Sequence, residues 1–167
     1  DQNFTEVKDE TELLKYCHAV AGTVGIMVQK ILNCRDIEST YFAIDLGVAM
    51  QLTNIARDVL EDATNSRKYI PKTWLDVRPE KIAMKDIEDH QIVSRAIERT
   101  ISLADQYYQS ALIGIHYIPI KSRIAIAIAL RLYREIGVKL VQDGSRWWEG
   151  RTIVGNFSKV KLSLYSL

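Results

Sequence analysis

Only three prolines interrupt this 167-residue chain. Long stretches between them repeat apolar residues at helical spacing, and no stretch alternates convincingly as a strand. The spacing predicts a first helix from a cap at Thr5 or Asp9 to Leu32, with glutamates early and lysine late. A turn at Asn33–Asp36 leads to a second helix over Ile37–Ala63. Thr64–Lys72 is a polar break, Pro71 opens a short turn through Trp74, and Val77–Lys85 reads as irregular and charged. A third helix is expected over His90–His116. Pro119 breaks the chain, a fourth helix follows over Ser122–Gln142, and Gly144 ends it in the left-handed conformation. One short helix is expected in the tail from Phe157. The run "IAIAIAL" (Ile124–Leu130) resembles a strand locally, but its flanks "KSR" and "RLYREIGVKL" carry the helical pattern on, and length favours a buried helix. Helices with short connections and no linker predict an all-α bundle, with residues 1–167 in one domain.

Nearly half the residues are apolar (47%) and a quarter are charged (26%), which suits a soluble globular chain. The net charge of +1 argues against a nucleic-acid binder that relies on a broad basic field. Cys17 and Cys34 make neither a disulfide framework nor a zinc spacing, so both read as reduced thiols of a cytosolic chain. The longest apolar run, Ala19–Val28, is too short to span a bilayer, so no transmembrane anchor is expected. Peripheral contact with a membrane surface stays open. The first residue is Asp1 rather than Met, which a processing site or an internal cut would each explain.

The stretch "QLTNIARDVLEDA" puts acids and amides where an ordinary helix carries leucines. Gln51, Asn54, Asp58 and Asp62 step by three, four and four, so they form one stripe of a helix. Leu52, Ile55, Val59 and Leu60 fill much of the rest of its surface. Carboxylates four apart repel by about 0.2–0.5 kcal/mol when exposed and by more when partly buried. A divalent cation removes that conflict. Mg2+ prefers oxygen ligands and is commonly held by one or two carboxylates plus substrate phosphates. The stripe therefore suggests a helix that holds Mg2+ against a phosphorylated ligand. "SRKYIP" adds Arg67, Lys68 and Tyr69, groups that stabilise diphosphate charge. The plain alternative, salt bridges from Asp58 and Asp62 to Arg57 and nearby lysines, fits the same spacing.

At these residues the chain resembles the squalene/phytoene synthase family, especially its bacterial phytoene synthases. "QLTNIARDVLEDA" with "RKYIP" and "TWL" resembles the family's second aspartate-rich motif and its sequel. "YCHAVAGTVG" (Tyr16–Gly25) resembles the preceding helix, and "RIAIAIALRLYREIG" with "GRTIV" the C-terminal helix and tail. The resemblance covers essentially the whole chain. It implies a class I isoprenoid synthase-like helical bundle and head-to-head joining of two allylic prenyl diphosphates with Mg2+. Ionisation of one diphosphate gives an allylic cation, the second substrate's double bond attacks it, and a second ionisation and rearrangement give the hydrocarbon. Carried over by position, Asp58 and Asp62 would bind Mg2+ with Asn54 assisting, and Gln51 would line the chamber. Arg57 would contact diphosphate, and Tyr69 would hydrogen-bond it or its waters. Tyr16, Val20, Gly22 and Gly25 would face the chamber or the facing helix, the glycines allowing close approach. Glu61 completes the motif, with an ion pair to Arg57 as its plainer role.

His18 stands where the family often has a second tyrosine and reads as structural. The family's first aspartate-rich helix lies well upstream of the Tyr16 segment, and neither "DETE" (Asp9–Glu12) nor "KDIEDH" (Lys85–His90) matches it. Both read as solvated helix starts. The chain therefore looks like a C-terminal part lacking the N-terminal helices, and alone it is expected to be inactive or severely impaired and to expose apolar surface. Trp147 and Trp148 read as cover for a core edge, Tyr107 and Tyr108 as split between core and rim, and Arg131, Arg134 and Lys139 as a solvated face. The leading function is phytoene formation from two geranylgeranyl diphosphates in carotenoid biosynthesis. The alternatives are squalene or dehydrosqualene formation from farnesyl diphosphate, or a non-catalytic helical partner subunit.

Overall fold

Asp9 opens the first helix. Its side chain accepts the Glu12 N–H at 2.9 Å while Glu12 reaches back to the Lys8 N–H at 2.8 Å, a reciprocal cap that satisfies two otherwise orphaned donors. The computed structural model describes residues 6–151. The Thr5 cap candidate and the tail helix expected from Phe157 lie outside the described residues. Helix α1 (Glu10–Cys17) runs through a π turn at His18–Gly22 into α2 (Thr23–Ile31). Helix α3 (Glu38–Arg57) is followed by the short α4 (Val59–Thr64) and α5 (Pro79–Met84). Helix α6 (Ile87–Ile113) ends in a 3-10 turn at Gly114–Tyr117, and α7 (Ile120–Gln142) leads to a second 3-10 turn at Trp147–Glu149. No strand occurs among the described residues.

Helix α3 is the centre. It packs most extensively on α6, then on α2 and α7. Val48, Leu52 and Ile55 meet α6 residues Val93, Ile97, Thr100 and Ala104 in one buried core, all at helical spacing. A hydrogen bond of 2.9 Å between Thr53 Oγ1 and the Tyr108 hydroxyl ties the two helices inside that core. On its other flank α3 touches α2 and the π turn before it backbone to backbone. A Cβ on Gly25 would stand 2.0 Å from the Ala43 carbonyl oxygen, and one on Gly47 would stand 2.3 Å from that of Ala21. Only glycine permits that approach.

Four expectations change in detail. The first helix contains a π turn, in which the Thr23 N–H reaches five residues back to the His18 carbonyl. That adds one residue and turns everything before it by about 100° relative to a regular helix. The second helix is interrupted at Asp58, whose φ of −101° and ψ of 16° leave the helical region. Arg57 and Asp58 are clasped side chain to side chain, and neighbours point apart on a regular helix, so the clasp and the deviation belong together. The segment read as irregular contains α5, with Pro79 in its first turn and Lys85 (φ 57°) ending it in the left-handed conformation. The polar face read on α7 is tied down at Arg134, which donates to Asp105 of α6 at 2.6 Å.

Other expectations hold. Asp86 caps α6 through the Glu88 N–H, as the acidic run there implied. Gly144 has φ 76° after α7. Trp147 is buried and Trp148 stacks on His90 at 3.9 Å between centroids, so both cover a core edge. Tyr108 is buried and Tyr107 half-buried. No described helix is long and apolar enough to cross a membrane.

Candidate active site

A cavity of about 320 Å3 follows one side of α3. Phe42, Leu46, Met50 and Asn54 step along it every four residues, with Gln51 beside them, which is why a single helix can line its whole length. From Ser39 to Asn54 the lining covers about 22 Å of helix. Val20, Val24, Gly25 and Val28 face it from the first helical rod, Ile115 and Ile118 from the turn after α6, and Ile126 and Tyr133 from α7. The groove is apolar except at its ends. One end carries Gln51, Asn54 and the Tyr133 ring.

The Asn54 side-chain oxygen is buried and has no hydrogen-bond partner. An unsatisfied buried acceptor costs about 1–3 kcal/mol, so it marks a place where a donor or cation belongs. One turn on, Asp58 accepts two bonds from Arg57, at 2.8 Å from Nε and 2.6 Å from Nη2. Arg57 is only 10% exposed in its side chain, and the carboxylate holds it firmly charged against burial. Arg151 Nε stands 3.1 Å from Asp58 Oδ1, the oxygen that also accepts from Arg57 Nε. Asp62 has no such clasp. Burial first, then the charges of Asp58 and Glu61, push its carboxyl up to about 6 from the usual carboxylate range, against the pull of Arg67.

Beside Asp62, Tyr16 stacks on Tyr69 with centroids 4.9 Å apart. Burial, the Tyr69 hydroxyl and the Asp62 charge all raise the Tyr16 phenol, so it stays a neutral hydrogen-bonding group at ordinary pH. Helix α1 thus brings Tyr16 to Asp62 of α4 and to Tyr69 of the following loop, both far from it in sequence. Val20, Gly25, Gln51 and Asn54 meet in the groove. Gly25 earns its place chiefly through helix contact, as its missing Cβ shows.

Two placements, of Lys68 and of the Glu61 partner, differ from the sequence reading. Lys68 is not available to a diphosphate: its ammonium is buried (5% exposed) and donates to the Leu75 carbonyl at 2.8 Å and to Glu6 at 2.9 Å. Arg57 takes Asp58, the pairing of the plain alternative, rather than Glu61. His18 is exposed, and its ring lies against Gly22. The sequence reading also missed two residues. Tyr133 lines the groove near Arg57, and Arg151 reaches Asp58. Both sat in stretches quoted only as helix or tail, "RLYREIG" and "GRTIV", and periodicity says nothing about which side chain reaches a site.

Among the described residues no three or more His, Cys, Asp and Glu converge. Two carboxylates and an amide oxygen suit Mg2+ better than zinc, since Mg2+ takes few protein oxygens and completes its sphere with water and phosphate. The orphaned Asn54 oxygen and the raised Asp62 carboxyl both fit a cation beside them.

A helical bundle that places a DxxxD turn at the head of a long apolar groove has the architecture of the isoprenoid synthases. The chain belongs to the squalene/phytoene synthase family, whose profile matches residues 1–165. It is 41% identical over 165 residues to a 15-cis-phytoene synthase of Enterobacter agglomerans, covering 97% of this chain and 55% of that protein. It is 38% identical over 166 residues to a 4,4'-diapophytoene synthase of Staphylococcus haemolyticus, covering 97% of this chain and 58% of that protein. Among solved structures, a dehydrosqualene synthase in complex with ligand superposes with a TM-score of 0.81 at 27% identity, over 98% of this chain and 58% of that one. The chain therefore spans about half the length of the curated relatives it matches.

Proposed function

We propose that this chain is the C-terminal portion of a single-domain head-to-head prenyl synthase, and that the complete protein joins two geranylgeranyl diphosphates to phytoene in carotenoid biosynthesis. The observation that carries the reading is the junction at Asn54: an oxygen-rich, partly desolvated corner opens directly onto a long apolar groove. A diphosphate with a long hydrocarbon tail has that same division of polarity. The family relatives named as phytoene synthases support the substrate class.

Asn54, Asp58 and Asp62 would hold Mg2+ on this wall. When bound, the ion would neutralise the diphosphate and so assist its departure. Arg57 keeps the Asp58 carboxylate oriented and adds positive charge beside the leaving group. Tyr69 and the neutral Tyr16 phenol donate hydrogen bonds to diphosphate oxygens or their waters. Gln51 contacts the diphosphate end of the substrate. Val20 and the groove residues of α3 hold the prenyl chains apart from water, which protects a reactive allylic cation. The facing wall, with a first aspartate-rich motif, comes from a segment preceding this chain. The chain alone is then inactive or severely impaired.

The test uses the complete reading frame that encodes this chain. Incubated with geranylgeranyl diphosphate and Mg2+, its product should be phytoene, and Asp58→Asn or Asp62→Asn should lower the rate by about a hundredfold or more. A complete protein that turns over no prenyl diphosphate, or whose turnover ignores both substitutions, would overturn the reading.

A further inference from the structure

Toward the end remote from Asn54, one turn before Ser39, the groove passes the crossing of α3 with the 3-10 turn Gly114–Tyr117. Phe42 projects from α3 into that crossing and lines the groove. Its ring lies over the Tyr117 ring, with centroids 5.6 Å apart and planes 16° from parallel. Tyr117 is fixed in turn by its hydroxyl, which donates to the Glu38 carboxylate at 2.5 Å. The same turn presses Gly114 against Phe42, where an added Cβ would stand 2.2 Å from the Phe42 Cβ. The ring is thus held by stacking, by a backbone that cannot carry a side chain, and by an anchored neighbour. Its position is set by the fold before any ligand arrives.

We propose that Phe42 is the length gauge of the groove, the residue that decides how long a prenyl chain can lie between Asn54 and the Gly114 crossing. The inference rests on the reading of the site as a prenyl diphosphate site and adds the residue that selects among such substrates. A phenyl ring fills roughly the volume of one isoprene unit, and a space opened in a packed wall closes only partly. Closure is further opposed here because the first helical rod and α3 already touch through their backbones at Gly25 and Gly47. Replacing the ring with a methyl group therefore extends the groove by about one isoprene unit, and enlarging it shortens the groove.

The experiment takes the complete protein with Phe42→Ala, Phe42→Leu and Phe42→Trp. Geranylgeranyl diphosphate competes against its farnesyl and geranylfarnesyl homologues, one isoprene unit shorter and longer. Incorporation is read by mass spectrometry of the hydrocarbons. Binding of the three non-hydrolysable thiodiphosphates, with Mg2+, is read by calorimetry. Phe42→Ala should move both ratios toward the longer chain by about tenfold, Phe42→Leu by less, and Phe42→Trp toward the shorter chain. Variants that melt cooperatively yet keep the wild-type ratios overturn the gauge. If the wild type binds all three chains but makes no hydrocarbon, the synthase reading fails, while a binding ratio that still follows the side chain at 42 upholds the gauge. Wild-type protein that binds none of the chains overturns both.

Discussion

Asp58 and Asp62 stand one turn apart, and their surroundings are opposite. Asp58 is the counter-charge of two guanidinium groups, one of them nearly buried. Removing it strands Arg57, so Asp58→Asn should cost the metal-free chain about 2 kcal/mol, read as a lower denaturation midpoint. Asp62 pays for its position instead. Its carboxyl titrates near 6 when folded and near 3.8 when unfolded, so the folded state binds the extra proton between those values. Stability should therefore be full below about pH 4, fall as the pH rises to about 6, and stay level above that. Asp62→Asn should remove this slope and stabilise the metal-free chain at pH 7.5 by about 1 kcal/mol, a figure reduced for solvent screening. Added Mg2+ should raise the wild-type melting temperature at that pH and leave the variant's nearly unchanged. The spacing of Gln51, Asn54, Asp58 and Asp62 made this stripe readable in advance, because helical periodicity decides which side chains share a face. It did not reveal that Arg151 reaches Asp58 or that Lys68 turns inward to Leu75. Those choices depend on loops and tails whose course no local pattern encodes.

At the scale of elements, the contact of α2 with α3 is the most demanding. Gly25→Ala would drive a methyl group into the Ala43 carbonyl, and Gly47→Ala another into that of Ala21. Either should cost about 2–3 kcal/mol, seen as a melting temperature lower by about 8 °C. Gly144→Ala, at a turn with little around it, should cost less, through its positive φ alone. The long helices were legible because Pro119, Gly144 and the acidic caps punctuate them. Three features were not. The π turn at His18–Gly22 leaves the apolar pattern almost unchanged, the deviation at Asp58 follows from a side-chain clasp, and α5 is too short to show a period.

For the whole molecule, the first helical rod leaves Val24 46% and Met27 54% exposed, beside Val20 and Val28. Apolar residues gathered along one rod mark a surface that seeks cover. The isolated chain should bind an apolar dye and sediment faster as concentration rises, and Val24→Ser with Met27→Ser should reduce both effects. Apolar exposure was expected from the resemblance, which places the facing wall of the cavity outside this chain. Which rod would carry it was not, because that depends on how α3 is shared between α6 and α2. The glycine contacts of that shared helix have a further consequence. Two main chains in direct touch cannot be moved closer, and moving them apart would forfeit the contact, so the width of the trough is a constant of the scaffold. Diversification toward new tail lengths would then run through side chains on the trough walls while positions 25 and 47 stay fixed. A library of randomised variants selected for an altered product should return many changes at wall positions and glycine alone at those two.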